Sequence, residues 1–195
     1  MQFVPKPWPS ERVIEQIADK SGGGGYFIYA ATVIRYVDEE YFSCLERLGQ
    51  VLCTSAAHHD PEEMLFAELD KLYSNVLSTC PKSQLPLLKR VLPFHEVGAV
   101  GSNVEGLLGL RPGQLNLTLR GLRSIVTVDD NDSLDSFHVS FFDFLFDPAR
   151  AKDYYVDIEE WHASNFHRLF SLVNRSMPAM ESKGIQRMFV SIVVR

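Results

Sequence analysis

Apolar positions in the first third of the chain recur with the period of amphipathic helices. The pattern after Ser10, a typical helix N-cap residue, predicts a first helix that ends at the glycines 22–25. The run 26–37 is apolar nearly all round and predicts a second, fully buried helix. A strand is the alternative, because the run is rich in aromatic and β-branched residues. Helix is preferred because the apolar pattern is long and contains two consecutive alanines.

The next apolar pattern, 39–52, predicts a third helix. Its predicted buried side consists of Phe42, Leu45 and Leu48. Residues 53–60 indicate a loop and a candidate domain boundary. A fourth helix then ends near Thr79, and its start is marked by a cap, a first-turn proline and a capping-box glutamate, which are Asp60, Pro61 and Glu63.

Shorter elements follow from Pro81 onward. The pattern predicts short helices at 85–92, at 103–110 and where apolar residues recur at Leu115, Leu119 and Leu122. Two β-rich runs, 124–128 and 134–139, flank the polar turn DDNDS and predict a hairpin. Three short helices followed by a hairpin form the plan of a winged-helix domain, a helix-turn-helix variant.

Two further helices, at 140–146 and 159–175, complete the predicted fold. We therefore predict a mainly α protein. Its predicted domains are a helical bundle at 1–56, a winged-helix domain at 60–148, and a C-terminal helix with a poorly patterned tail at 149–195.

Composition narrows the function classes. The 195 residues carry 19 basic and 25 acidic side chains, and the resulting charge of −6 disfavours general nucleic-acid binding. The three cysteines lack metal-site spacing and fit reduced thiols. The sequence has no signal-peptide core and no apolar run of membrane-spanning length. We expect a cytoplasmic protein without a membrane partner.

Enzyme and metal motifs are absent from the sequence. It contains no G-x-S-x-G, H-E-x-x-H, C-x-x-C or G-x-x-x-x-G-K-[ST] pattern. The glycines 22–25 are interpreted as a helix stop. His58 and His59 are interpreted as solvated loop residues, because adjacent histidines do not easily face one metal. We predict a non-enzymatic chain with no catalytic residue, no metal and no cofactor of its own.

The third helix of the predicted winged-helix domain has the side chains of a DNA reader. These polar and basic residues are Gln114, Asn116, Thr118, Arg120 and Arg123. The hairpin turn, which would face the phosphate backbone, carries three aspartates instead. DNA binding is therefore the weaker alternative, and nucleic acid is not an expected partner.

His138 stands at the end of the second predicted strand, just before the helix at 140–146. Its residue type fits two roles. One is a core or capping histidine whose ring bonds a backbone group. The other is a phosphate contact, in which an imidazole N–H meets an anionic oxygen. The residues alone leave both roles open.

Four stretches resemble parts of one family, in the family's order. They are WPSERVIEQIADKSGGGGYFIYAATVIRYV from Trp8, LDKLYSNVLS from Leu69, LLGLRPGQLNLTLRGLRSIVTV from Leu107 and FHVSFFDFLFDPARAKDYYVD from Phe137. They are similar to the segment that closes the nucleotide-binding domain, the next helix, the winged-helix core and the histidine motif of fungal NACHT proteins. Those proteins are STAND-class signalling NTPases similar to NLR immune receptors.

The resemblance implies a nucleotide-binding site. The family's winged-helix histidine touches the β-phosphate of ADP and locks the closed state, and His138 stands at that position. Gly25 and Phe27 stand where plant relatives have the Gly and Pro of a Gly-Leu-Pro motif, whose proline meets the nucleotide. The phosphate loop and the Mg²⁺-binding aspartate of the family lie upstream of these stretches. ADP, ATP or GTP with Mg²⁺ are therefore implied cofactors of a longer parent chain only.

The implied function is regulatory. The two modules would clamp a NACHT NTPase core, in cis or in trans, and couple exchange of ADP for ATP to opening and oligomerisation. A stand-alone interaction module that pairs with full-length NACHT proteins is the main alternative.

Overall fold

The chain forms a mainly helical protein with one two-stranded sheet in the part that the structure describes. The structure, a computed structural model, describes residues 8–21, 27–40, 42–53, 61–97, 101–128 and 133–165. It divides into unit 1, which is Met1–Thr79 with Leu122–Ile125, and unit 2, which is Cys80–Gly121 with Val126–Arg195. The prediction of a mainly α fold is confirmed.

Unit 1 begins with two helices at the predicted places. α1 is Glu11–Lys20 and α2 is Phe27–Val37, so the strand alternative for the second run is wrong. Ser10 takes the N-cap position of α1, but its side chain makes no cap bond. Its carbonyl oxygen instead accepts the first backbone bonds of the helix.

α2 is buried on one side only. Its buried residues are Tyr29, Thr32, Val33 and Tyr36. The packed neighbours α1, α3 (Cys44–Cys53) and α4 (Pro61–Ser78) leave Phe27 80% exposed and Ile34 64% exposed. The prediction of a fully buried helix is therefore wrong, because these helices do not surround α2.

α3 starts later than predicted and buries a different side. It begins at Cys44, and both Phe42 and Leu45 are exposed instead of buried. Only Leu48 of the three predicted core residues is buried. The buried residues of α3 are Arg47, Leu48 and Val51.

The side chain of Arg47 explains this change of side. It is 3% exposed and lies between the rings of Tyr36 and Phe42, 4.2 and 3.7 Å from their centroids. Its guanidinium donates to the carbonyl oxygen of Tyr36 near the end of α2 and, at 2.7 Å, to Oε2 of Glu39. The charged group thus joins α3 to the end of α2 and to the turn that follows it.

A second buried charge connects three helices of unit 1. Glu68 of α4 is 3% exposed, and its Oε2 accepts from Nζ of Lys20 at 2.9 Å. Lys20 also donates to the carbonyl oxygen of Val51 at 3.3 Å. Nζ of Lys71 lies 3.5 Å from Oε1 of Glu68. This network fixes α1 against α3 and α4.

α4 ends at Ser78, beside the predicted Thr79. Its buried residues include Leu69, Leu72, Val76 and Leu77. The predicted cap Asp60 and the loop 54–60 lie outside the described residues. The domain boundaries proposed from the sequence stay predictions.

Unit 2 contains short helices after Pro81, and all but one of the following were predicted. They are α5 (Leu85–Val91), α6 (Phe94–Val97), α7 (Gly101–Leu108) and α8 (Gln114–Leu119). α6 was not predicted. Pro93 has no backbone N–H, so it cannot continue α5. The missing N–H is tolerated in a first helical turn, so Pro93 is also compatible with the start of α6. Gly113, before α8, has φ +80°, which favours glycine.

The predicted hairpin is present with shorter strands. β1 is Val126–Val128 and β2 is Leu134–Ser136, and they pair antiparallel with Val126 opposite Ser136. The sequence predicted strands at 124–128 and 134–139. The turn residues 129–132 lie outside the described residues.

Three helices follow the sheet. They are α9 (Ser140–Leu145), α10 (Pro148–Ala151) and α11, residues 158–165. α10 was not predicted. Its N-cap residue is Asp147, whose Oδ1 accepts from the backbone N–H groups of Ala149 and Arg150. The rest of the predicted helix 159–175 lies outside the described residues.

We expect Arg47→Met to lower the free energy of unfolding by about 3–5 kcal/mol, because it leaves the carboxylate of Glu39 buried and unpaired. Denaturant unfolding measures this loss. Arg12 is an exposed arginine of α1, and Arg12→Met should change stability by less than about 0.5 kcal/mol. A loss in R47M no larger than in R12M would contradict the role of the buried pair.

We expect Lys152→Gly to stabilise the chain. Lys152 follows α10 with φ +49° and ψ −113°, a conformation that side chains disfavour and glycine accepts. The substitution should raise the free energy of unfolding by about 1 kcal/mol. Lys152→Ala removes the same charge but keeps Cβ, so a gain of equal size in that variant would show that backbone strain is not the cause.

His162 on α11 should make stability fall in weak acid. Its Nε2 is buried without a hydrogen-bond partner among the described residues. Burial lowers the pKa of His162, and nearby Glu96 opposes this more weakly. The unfolded chain therefore binds the proton first, and stability is lost as the pH falls below about 6.5. Urea unfolding from pH of about 8 to about 5 should show this loss relative to His162→Gln. Parallel profiles of the two proteins would refute it.

Candidate functional site

The connection between β2 and α9 places His138 on the surface. β2 ends at Ser136 and α9 begins at Ser140, so His138 follows the strand instead of ending it. Its side chain is exposed. Oγ of Ser136 donates to the carbonyl oxygen of His138 at 2.9 Å. This bond fixes the backbone at the histidine.

The imidazole of His138 is held through Nδ1. The backbone N–H of Ser140 donates to Nδ1 at 3.1 Å, and Oγ of Ser140 lies 2.9 Å from the same nitrogen. The ring therefore bonds a backbone group at the start of α9, which is the contact that the first of the two roles left open for this histidine requires.

His95 ties together the elements that surround this connection. Its Nδ1, on α6, lies 3.2 Å from Oδ1 of Asp135 in β2. Its ring stacks on Phe142 of α9, with centroids 4.0 Å apart and an interplanar angle of 2°. The strand before His138 and the helix after it are thus both anchored to α6. Phe141 and Phe144 of α9 are also buried, so this helix is held by aromatic packing as well.

The other two predicted site residues belong to unit 1. Phe27 is the first residue of α2, and its ring is exposed. Gly25 lies outside the described residues, as do the rest of the glycine run, His58 and His59. His138 belongs to unit 2. The predicted nucleotide contacts are therefore divided between the two units.

Two of the residues predicted to read DNA instead bond the backbone of α8 and of the turn before it. Thr118 is buried, and its Oγ1 donates to the carbonyl oxygen of Gln114 at 2.8 Å. Oε1 of Gln114 accepts from the backbone N–H of Arg111 at 3.0 Å. Leu117, which is apolar, is 68% exposed at the centre of the helix. The remaining predicted readers, Asn116, Arg120 and Arg123, have exposed side chains.

A groove of about 410 Å³ lies along α11 in unit 2. Nε1 of Trp161 closes one side by donating to the carbonyl oxygen of Arg90 at 2.9 Å. Asp157 and Glu160 line the groove together with Arg90. Two acidic residues and one basic residue make this lining a weak candidate for an anion site.

The described residues contain neither a cluster of metal-ligating side chains nor a helix that could span a membrane. No cluster of three or more His, Cys, Asp or Glu side chains is arranged there to hold a metal ion. None of the helices described has the length and apolar character needed to cross a bilayer.

Sequence reasoning missed the residues that hold the connection containing His138 and the elements on either side of it. Ser136, Ser140 and His95 contact its connection or the elements on either side of it. The spacing of Ser140, two residues after the histidine, was the one local signal, because short side chains near a helix start often bond nearby groups. His95 gave no signal, because its contacts join residues far apart in the chain.

Comparison of the chain with protein-family models, with curated proteins and with solved structures finds no match.

Proposed function

We propose that this chain is the regulatory, nucleotide-sensing part of a NACHT-type STAND signalling NTPase and is not catalytic by itself. The sequence contains no phosphate-loop motif, so the proposal places the NTPase core elsewhere, in a longer parent chain or in a partner. The observation that carries the proposal is the exposed imidazole of His138, whose Nδ1 is fixed by Ser140.

The order of the elements in unit 2 supports a winged-helix domain. The helices α5, α7 and α8 are followed by the antiparallel hairpin and then by α9. Both α5 and α7 pack against α8, and α6 packs against β2. Helices that pack together before a hairpin form the winged-helix plan, in which the hairpin is the wing.

His138 can contact a phosphate without losing its structural bond. Nδ1 remains the acceptor for α9, while Nε2–H donates outward to an anionic oxygen. A hydrogen bond to a charged group contributes about 1.5–3 kcal/mol. If ADP makes this bond only in the closed state, the bond favours that state.

The first test is the intact mass of the native protein after immunoprecipitation. We expect a mass far above 22.1 kDa and peptides upstream of Met1 that contain a phosphate loop. In that native protein, His138→Ala should speed ADP release about 10- to 100-fold, because it removes one hydrogen bond to a charged group. Release of a fluorescent ADP analogue measures the rate.

Asn116→Ala is the matched control, because Asn116 is an exposed polar residue of the same unit. It should leave ADP release unchanged. An unchanged release rate in H138A would overturn the sensing role of His138. A mass near 22.1 kDa with no NACHT protein bound would overturn the proposal as a whole.

The exposed apolar side chains of unit 1 favour the interaction-module alternative. Ile14 on α1 and both Phe27 and Ile34 on α2 are exposed, and exposed apolar side chains of this size suit a protein interface. A mass near 22.1 kDa together with co-purification of a full-length NACHT protein would support this alternative. Loss of that partner in Phe27→Asp would locate the interface on α2.

A further inference from the structure

Ser140 has two contacts to one nitrogen of His138. Because Ser140 is the first residue of α9, its backbone N–H has no carbonyl oxygen of an earlier helical turn as an acceptor. Nδ1 of His138 accepts it at 3.1 Å. Oγ of Ser140 lies 2.9 Å from the same nitrogen, and Ser140 itself is buried. A buried residue therefore holds an exposed ring.

The two neutral forms of histidine would give this surface opposite chemistry. With the proton on Nε2, the exposed nitrogen is a donor and suits an anionic oxygen. With the proton on Nδ1, the exposed nitrogen is an acceptor and suits a hydroxyl donor or a metal ion. The second form would place the N–H of Nδ1 against the backbone N–H of Ser140, two donors about 3 Å apart. Oγ of Ser140 can donate or accept and therefore fits both forms. The backbone N–H can only donate, so it is the contact that selects the first form.

We propose that Ser140 is the positioning residue of His138, which keeps the ring proton on Nε2 and directs this donor toward an anionic oxygen. The identification of that oxygen as a nucleotide phosphate rests on the proposed function. The choice of ring form does not rest on it, because it follows from the contacts of Ser140 alone.

The side chain of Ser140 adds to what the backbone does. A half-turn of the imidazole would exchange Nδ1 for a carbon and would lose both contacts at once. Ser136 differs from Ser140, because its Oγ donates to the backbone carbonyl of His138 and makes no contact with the ring. Ser136→Ala is therefore a matched control in the same connection.

The test is long-range ¹H–¹⁵N NMR of the 195-residue chain labelled at histidine, at a pH of about 8, where free histidine is neutral. The signals of His138 are assigned by their loss in His138→Asn. We expect a protonated Nε2 and an unprotonated Nδ1 in the wild type. Ser140→Ala keeps the backbone N–H but removes the Oγ contact. One bond instead of two then resists the half-turn of the ring, so the population of the other form should rise at least threefold, and Ser140→Thr should restore the wild-type spectrum. Ser136→Ala should leave the ring form unchanged.

A proton on Nδ1 in the wild type would overturn the proposal, and so would an S140A spectrum equal to that of the wild type. An effect of S136A as large as that of S140A would also overturn it, since the ring contacts would then not be the cause. These measurements need no nucleotide. Failure of ADP release to respond to H138A would therefore count against the proposed function alone.

Discussion

The guanidinium of Arg47 is buried in unit 1, where the residues around it replace part of its lost hydration. Removing an ion from water costs several kcal/mol unless a partner and further hydrogen bonds replace the hydration. Glu39, the carbonyl oxygen of Tyr36 and two aromatic rings provide part of that replacement. Nε and Nη2 of Arg47 and Oε1 of Glu39 are buried without a hydrogen-bond partner among the described residues. Because the groups around Arg47 come from α2 and from the turn after it, the position of α3 is set by the charge as well as by apolar packing. Leu45 therefore faces outward, although its residue type suits the core.

In unit 2, backbone N–H groups at helix starts likewise need hydrogen-bond partners. A helix start has backbone N–H groups without acceptors, and Asp147 accepts two of them at α10. At α9 the acceptor is a histidine, which has a second nitrogen on the other side of its ring. A carboxylate cap offers only acceptors. In the proposed ring form, Nδ1 of His138 accepts the N–H at the start of α9 while Nε2–H donates outward. One side chain can thus make a structural contact and a binding contact at the same time.

The sequence predicted those features that depend on local spacing and missed those that depend on distant contacts. α1, α2, α4, α5 and the hairpin follow from apolar period and turn chemistry, and the structure places them as expected. The buried side of α3 was wrong, because an arginine counts as a surface residue until its partners are known. α6 and α10 were missed because four-residue helices have no period to detect. His138 was found through its place in a motif, but the bond that orients it could be seen only in three dimensions.

Under the proposed function, His138 would not be able to operate a nucleotide switch alone. Changing a two-state population from 1:99 to 99:1 needs a difference of about 5.5 kcal/mol between the states. One hydrogen bond to a charged group supplies about 1.5–3 kcal/mol, so a complete switch needs further contacts that also differ between the states. Unit 1 offers apolar surface at Phe27 and Ile34, and burying one such side chain contributes about 1.5–3 kcal/mol. Under the proposed function, His138 makes the closed state depend on the nucleotide, and apolar burial supplies the remaining energy.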